Sequence, residues 1–333
     1  MKKKMLFNEK IFIAGSTGMV GRSVVKTLNE HGYGSEKYSG SIITTTRKSL
    51  DLLDSQAVST WFKKNKPTIV IIAAAKVGGI LANNKFPYEF LLENIKIQTN
   101  LIDAAFQNNV KRLLFLGSSC IYPKFADQPI TEESLLTGSL ENTNEWYAIA
   151  KISGLKMCES LRKQYKFDSI SLMPTNLYGP NDNYHPTNSH VLAALIKKFN
   201  DAVFEKRSSV TCWGSGTPLR EFMHVDDLSE AIIFALENWD PSDEHAPIDS
   251  KGNPLQFLNV GTGEDISIKK LAEKIAEISN FKGEILWDKS KPDGTPKKQL
   301  NIDKLKNLGW SAKIDLESGL RKTIKEYKKT FNK

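Results

Sequence analysis

Tyr147 and Lys151 stand four residues apart in a stretch, Glu145 to Lys166, patterned as a long helix, so their side chains project from one face. An ammonium beside a phenol stabilises the phenolate and draws down a pKa that starts near about 10, which would make Tyr147 an acid usable near neutral pH. Upstream, Gly117-Ser118-Ser119-Cys120-Ile121-Tyr122-Pro123 closes an apolar run and supplies a hydroxyl at Ser118 and a thiol at Cys120. If the strand continues to its end, alternation turns Ser118 and Cys120 the same way. A phenol, its lysine and a hydroxyl suit reduction of a carbonyl, and with a thiol beside them one pocket could host two chemistries, although a free cysteine is most often a small buried thiol.

The elements that must position these groups are legible from hydrophobic period. Lys10 to Gly15, Ser41 to Thr46, Thr68 to Ala75, Arg112 to Ser118 and Ser169 to Pro174 read as strands, and Met19 to His31, Tyr88 to Asn108 and Glu145 to Lys166 as helices between them. Alternation of that kind predicts an α/β fold, a Rossmann-type doubly wound parallel sheet, over residues 8–178. Past the turn cluster Gly179-Pro180-Asn181-Asp182-Asn183 the elements shorten. A smaller α/β substrate-binding lobe is expected from 179–220 and 263–330, with 221–262, including a helix over Val225 to Glu237, partly returning to the first domain. Trp239 to Pro254, polar and holding Pro241, Pro247, Gly252 and Pro254, reads as an exposed loop.

Composition narrows the function classes. The 333 residues are 40% hydrophobic and 25% charged, as in globular proteins. Met1-Lys2-Lys3-Lys4-Met5 begins like a signal peptide, but Asn8, Glu9 and Lys10 interrupt any apolar core, and no segment matches a membrane span, so a cytoplasmic protein with no membrane partner is expected. Cys120, Cys158 and Cys212 are widely separated, which argues against metal ligation and disulfides. The net charge of +8 comes from dispersed lysines without a nucleic-acid module, so anionic small ligands are expected rather than nucleic acid.

Gly15-Ser16-Thr17-Gly18-Met19-Val20-Gly21 lies between the first strand and first helix, where glycines let backbone amides approach a pyrophosphate. At the end of the second strand, Thr44-Thr45-Thr46-Arg47-Lys48 offers cations where a site for NAD would place an acid for the ribose diol. Arg47 therefore points to NADP, with Arg22 as a second possible phosphate ligand.

The glycine spacing, Ser118 and the Tyr147/Lys151 pair together resemble the extended short-chain dehydrogenase/reductase superfamily. Within it, Ala73-Ala74-Ala75-Lys76-Val77-Gly78-Gly79-Ile80, Pro174-Thr175-Asn176-Leu177-Tyr178-Gly179-Pro180, Asn188-Ser189-His190, Trp213-Gly214-Ser215-Gly216-Thr217-Pro218, Arg220-Glu221-Phe222 and Lys291-Pro292-Asp293-Gly294-Thr295-Pro296 make nearly the whole chain similar to the GDP-L-fucose synthase family. The resemblance implies conversion of GDP-4-keto-6-deoxy-D-mannose to GDP-L-fucose, by epimerisation at C3 and C5 and then NADPH reduction of the C4 ketone. It implies Cys120 as base and His190 as acid of the epimerisation, and Ser118, Tyr147 and Lys151 for the reduction. NADP would be held by Gly15 to Gly21, Arg47, Leu116, Gly117, Ser118, Ser119, Lys151, Pro174, Thr175, Asn176, Leu177 and His190, and the GDP-sugar by Lys198, Trp213, Arg220, Asp293 and Lys298.

The chain departs from that family in places. Thr17, Thr45 and Lys198 stand where arginine is common, and Trp146 where proline is common. By analogy with the superfamily, the helices at 88–108 and 145–166 are expected to pair two copies into a homodimer. Two other readings stay open on sequence: a nucleotide-sugar 4-epimerase or dehydratase, which would retain its cofactor through turnover, and a cofactor-sensing binding protein without turnover.

Overall fold

Continuous apolar runs become buried strands in the computed structural model, which describes residues 3–185, 188–291 and 293–331. In chain order the strands are β1 (Lys10–Ala14), β2 (Ser41–Thr44), β3 (Ile69–Ile72), β4 (Arg112–Leu116), β5 (Ser169–Pro174), β6 (Asn176–Tyr178), β7 (Ser209–Trp213), β8 (Leu219–His224), β9 (Phe257–Val260), β10 (Asp265–Ser267), β11 (Glu284–Asp288) and β12 (Lys297–Lys298). The helices are α1 (Met19–Glu30), α2 (Ser55–Asn65), α3 (Ile80–Lys85), α4 (Pro87–Gln107), α5 (Glu145–Tyr165), α6 (Val191–Phe204), α7 (Val225–Asn238), α8 (Ile268–Ser279), α9 (Asp303–Asn307) and α10 (Leu316–Phe331). Met1, Lys2 and Pro292, which figured in the sequence motifs, lie outside the described residues.

The main sheet has the order β2-β1-β3-β4-β5-β9 and every pairing in it is parallel. All residues of β3, β4, β5 and β9 are buried, as a parallel sheet covered on both faces requires. On one face Val24 and Leu28 of α1 and Leu228, Ile232 and Leu236 of α7 share a core with Ile11, Ile13 and Ile71. On the other, Val58 and Phe62 of α2, Leu101 and Ala105 of α4 and Leu155 of α5 pack on Phe12, Val70 and Phe115. The strand order reverses direction at β1 and β3, and the crevice outside their carboxyl ends is where open α/β sheets bind ligands.

A third core joins α6, α8 and α10 to the short strands, through Leu195, Phe199, Leu271, Ile275, Leu320 and Tyr327. There β8 pairs with β6, β10 and β12, and β7 pairs with β11. Leu300, Leu305 and Trp310, though late in the chain, pack into the main-sheet cores.

Two expectations are corrected. β4 ends at Leu116 rather than Ser118, because the next residues turn: Ser119–Ile121 form one 3₁₀ turn capped by Ser118, whose hydroxyl accepts from the Cys120 amide at 3.2 Å. The segment 239–254 is irregular, but it does not begin exposed. Trp239 is only 1% exposed, its carbonyl accepts from buried Arg112, and Asp240 pairs with Lys4 at 2.9 Å, so this end is pinned by ion pairs and the core. Helices α2 and α3 escaped the sequence reading. Among the described residues no helix is long and apolar enough to cross a membrane.

Candidate active site

Three helix starts converge on one cleft. Gly18, Asn144 and His190 occupy the N-cap positions of α1, α5 and α6, and none of them caps its helix with a side-chain hydrogen bond. By contrast Asp54 and Ser267 cap α2 and α8 in the ordinary way. The three uncapped starts line a cleft of about 960 Å³ between the main sheet and the second lobe, at the upper end of the usual size for a ligand site.

The glycine loop builds one end of it. Gly15 has φ +89°, and a Cβ there would lie 2.7 Å from the Ala74 amide nitrogen; a Cβ at Gly21 would lie 2.1 Å from the Gly15 carbonyl. Only glycine allows this closeness, which brings the start of α1 against the ends of β1 and β3. Its first amides, without an acid in the first turn, are free to meet a phosphate. Thr17, Gly18, Met19, Val20 and Gly21 face the cleft, as does Arg47. Ser16 does not: it is buried and its hydroxyl donates to the Thr45 carbonyl at 3.1 Å, tying the loop to the end of β2. Arg22, the second phosphate candidate, donates its Nε to the Thr17 carbonyl at 2.8 Å and lines a depression beside the cleft.

The expected walls of the middle of the cleft are all present: Leu116, Gly117, Ser118, Ser119, Pro174, Thr175, Asn176 and Leu177 line it, with Tyr147, Lys151 and His190. Lys151 is buried, donates to the Leu116 carbonyl at 2.7 Å, and lies 5.8 Å from the centre of the Tyr147 ring. Burial lowers it to about 8, opposed by the neighbouring Cys120. The Tyr147 phenol is hydrogen-bonded with Ser118, yet its pKa is raised, first by burial and then by Cys120. The direction differs from the expected acidified tyrosine: desolvation dominates at the phenol, and the Lys151 ammonium is committed to the Leu116 carbonyl. A neutral phenol is the form that donates a proton, so the arrangement suits an acid that holds its proton until an alkoxide forms beside it.

Cys120 is partly open to the cleft, and two nitrogens meet its sulfur: Asn144 Nδ2 at 3.4 Å and Lys298 Nζ at 3.5 Å. His190 is open to the cleft but hemmed in by protein, and that burial, then the charge of Lys298, lowers its pKa. Thus Lys298, expected to hold substrate, contacts the candidate base, and its charge also acts on the candidate acid.

The far end carries the expected cations. Lys198 donates to the Thr211 carbonyl at 2.9 Å and places its ammonium 4.9 Å above the Trp213 ring, with Lys291 at 5.9 Å from the same ring. Burial lowers the pKa of both Lys198 and Arg220, opposed by nearby acidic groups, and both side chains line the cleft. Asp293 lines the cleft but spends both carboxylate oxygens on Ser215, accepting from its amide and hydroxyl at 2.8 Å each.

Sequence reading missed Asn144, Glu141 and the Lys76–Glu93 pair. Glu141 pairs with Lys124 at 2.9 Å and Lys76 with Glu93 at 2.6 Å, and Glu141, Lys76 and Glu93 all line the cleft. Of these only Asn144 carried a local signal, an asparagine opening a helix three residues before the tyrosine. Among the described residues no cluster of His, Cys, Asp or Glu could hold a metal ion.

The profile of the NAD dependent epimerase/dehydratase family matches residues 11–248. A GDP-L-fucose synthase of Escherichia coli (strain K12) is 49% identical over 315 residues, covering 95% of this chain and 95% of the relative. Among solved structures, a GDP-6-OMe-4-keto-L-xylo-heptose reductase from C. jejuni superposes with a TM-score of 0.89 at 36% identity, over 98% of this chain and 99% of that one. A GDP-L-fucose synthetase from Naegleria fowleri bound to NADP superposes with a TM-score of 0.85 at 26% identity, over 99% and 98%.

Proposed function

This chain belongs to the NAD dependent epimerase/dehydratase family, and from that premise we infer that it converts GDP-4-keto-6-deoxy-D-mannose to GDP-L-fucose, inverting C3 and C5 and reducing the C4 ketone. The observation that carries the reading is the coexistence, in one cleft, of Ser118, Tyr147 and Lys151 with Cys120 and His190.

The chemistry follows from the residues. The C4 carbonyl acidifies hydrogens on both adjacent carbons, so one base and one acid on opposite faces suffice to invert each centre. Cys120 takes the proton from carbon, the electron pair moves toward the C4 oxygen, and the hydrogen-bonded Ser118 and Tyr147 hydroxyls hold that oxygen as it gains charge. His190 returns a proton from the other side. In the later reduction Tyr147 gives its proton to the same oxygen. Lys151, buried behind it, fixes the site through the Leu116 carbonyl and would help to hold the cofactor when it is bound.

A nicotinamide cofactor, when bound, supplies the hydride. The glycine loop fits it: uncapped amides at the start of α1 and the Cβ-free approach at Gly15 and Gly21 leave a cradle for a pyrophosphate. We assign NADP as the preferred form, since Arg47 on the cleft wall suits an extra phosphate and the Naegleria fowleri relative carries NADP. Gly15 to Gly21, Leu116 to Ser119, Lys151, Pro174 to Leu177 and His190 make up the cofactor side of this proposal, Ser16 through its loop rather than its hydroxyl. Lys198 and Arg220 are placed on the diphosphate, Trp213 on a ring, and Asp293 as the brace of the 214–215 turn.

The same reading divides the chain into an NADP lobe, 8–178 with 221–262, and a substrate lobe, 179–220 with 263–330. It also places the protein in the cytoplasm, whose reducing conditions suit its three free cysteines. Tyr88, Trp146 and Ile149, 69%, 42% and 37% exposed on the paired helices α4 and α5, support a homodimer through that face.

The test is product analysis. Purified protein incubated with GDP-4-keto-6-deoxy-D-mannose and NADPH yields GDP-L-fucose with one NADPH consumed per product. Cofactor retained through turnover, or no fucose formed, overturns the reading.

A further inference from the structure

Asn144 sits badly by local rules. Asparagine is favoured at an N-cap because its side-chain oxygen accepts from an amide of the first turn. Here the side chain makes no such bond, and its Oδ1 is buried without a partner, an arrangement that costs stability. What it does make is the 3.4 Å contact from Nδ2 to Cys120 Sγ.

Other features point at the same sulfur. Lys298 Nζ reaches it at 3.5 Å from β12, a strand held in register beside β8 by the Lys298–Arg220 pairing. The Cys120 amide is tied to Ser118 Oγ at 3.2 Å, which fixes the turn that carries the thiol. The positive end of the 21-residue helix α5 begins at Asn144 and adds to the field there.

We propose that Asn144 is a positioning residue for the base of the epimerisation: its amide N–H and the Lys298 ammonium together hold the Cys120 sulfur as a thiolate aimed at the sugar. Two donors meet the sulfur, and Cys120 still lines the cleft and is partly exposed there. The thiolate then takes the proton from a carbon beside the C4 ketone, the C–H pair becomes the enolate, and its charge rests on the oxygen between Ser118 and Tyr147. Lys298 is thereby reassigned from a ligand of the diphosphate-sugar to a partner of the base. This inference rests on the function proposed above.

Asn144→Asp tests it, because aspartate keeps the shape and the N-cap preference while replacing the donor by a negative oxygen. Three readouts separate the possibilities. Alkylation of Cys120 by iodoacetamide at neutral pH, followed by peptide mass spectrometry, reports thiolate without any substrate. Deuterium incorporation at C3 and C5 from heavy water reports the base. Oxidation of GDP-L-fucose by NADP, the reverse hydride transfer, needs no base at carbon.

Alkylation and exchange are expected to fall by roughly 10-fold or more, with the reverse oxidation and the melting temperature kept. Unchanged alkylation and exchange in Asn144→Asp, or an equal fall in all three readouts, overturns the proposal. Should Asn144→Asp fail to fold, Lys298→Met takes the same tests with the same expected pattern and the same overturning outcomes. If the wild-type protein forms no fucose, the functional reading fails, while the alkylation comparison still decides whether the two donors hold a thiolate.

Discussion

The ammonium of Lys151 donates to the carbonyl of Leu116 at 2.7 Å, which ties helix α5 to the last residue of strand β4 directly behind the reacting groups. Burial of that ammonium makes it both a brace and a titrating group.

Lys151→Met is expected to slow NADPH oxidation by at least about 100-fold while deuterium exchange through Cys120 continues with a smaller loss, since Cys120 takes the proton from carbon and the Ser118 and Tyr147 hydroxyls that hold the C4 oxygen are still present. Steady-state absorbance at the NADPH band and NMR of the sugar separate the two.

The same variant has a pH signature. Burial lowers Lys151 from 10.5 to about 8, so between those values the unfolded chain binds a proton that the folded chain has released. Stability from this group therefore rises with pH across that window, by up to about 3 kcal/mol. Urea denaturation of wild type and Lys151→Met, compared at about pH 8 and about pH 9.5, reads the part of this rise that falls below the titration of tyrosine. A flat difference refutes it.

His190→Asn is expected to retain deuterium exchange but lose inversion. The thiol can exchange its proton with solvent and return it to the same face, whereas delivery from the opposite face needs His190. NMR of the recovered nucleotide-sugar distinguishes labelled starting material from epimer.

Arg47→Ser is expected to raise the KM for NADPH by roughly 10-fold or more while leaving NADH nearly unchanged, the loss of about one charge-assisted contact to phosphate. Equal effects on both cofactors would remove Arg47 from the phosphate.

Glu221 is fully buried, and its carboxylate accepts from the amides of Thr262 at 2.6 Å, Gly263 at 2.9 Å and Leu300 at 2.7 Å. Glu221→Ala leaves three amide donors without their acceptor, that of Leu300 buried and those of Thr262 and Gly263 partly buried, so a loss of about 3 kcal/mol in urea denaturation is expected. Because Leu300 follows Lys298 by two residues, Cys120 alkylation falls with it.

Much of this was readable along the chain. Strands β1, β3, β4 and β5 declare themselves as apolar runs because a parallel sheet buries both faces, and Gly15 to Gly21 declares a phosphate loop because its first and last glycines leave no room for a side chain. The pairing of Tyr147 with Lys151 needs only helical spacing. Helices α2 and α3 were missed: α2 is held by tertiary packing of Val58 and Phe62 rather than by a strong pattern, and α3 has only six residues. Trp239 looked like the start of a polar loop because its burial depends on Arg112, which lies 127 positions away.

The sequence by itself determined the kinds of chemistry present: a phenol with its lysine, a thiol two residues past a serine, a loop for phosphate. What it could not determine was which groups control which, since electrostatic control depends on distance in space and on the water removed. Only the folded chain brings Lys298 across 178 positions to the Cys120 sulfur. Only burial turns Tyr147 from the expected acidified phenol into one that keeps its proton, and only packing turns Asn144 from a helix cap into a ligand of the thiol.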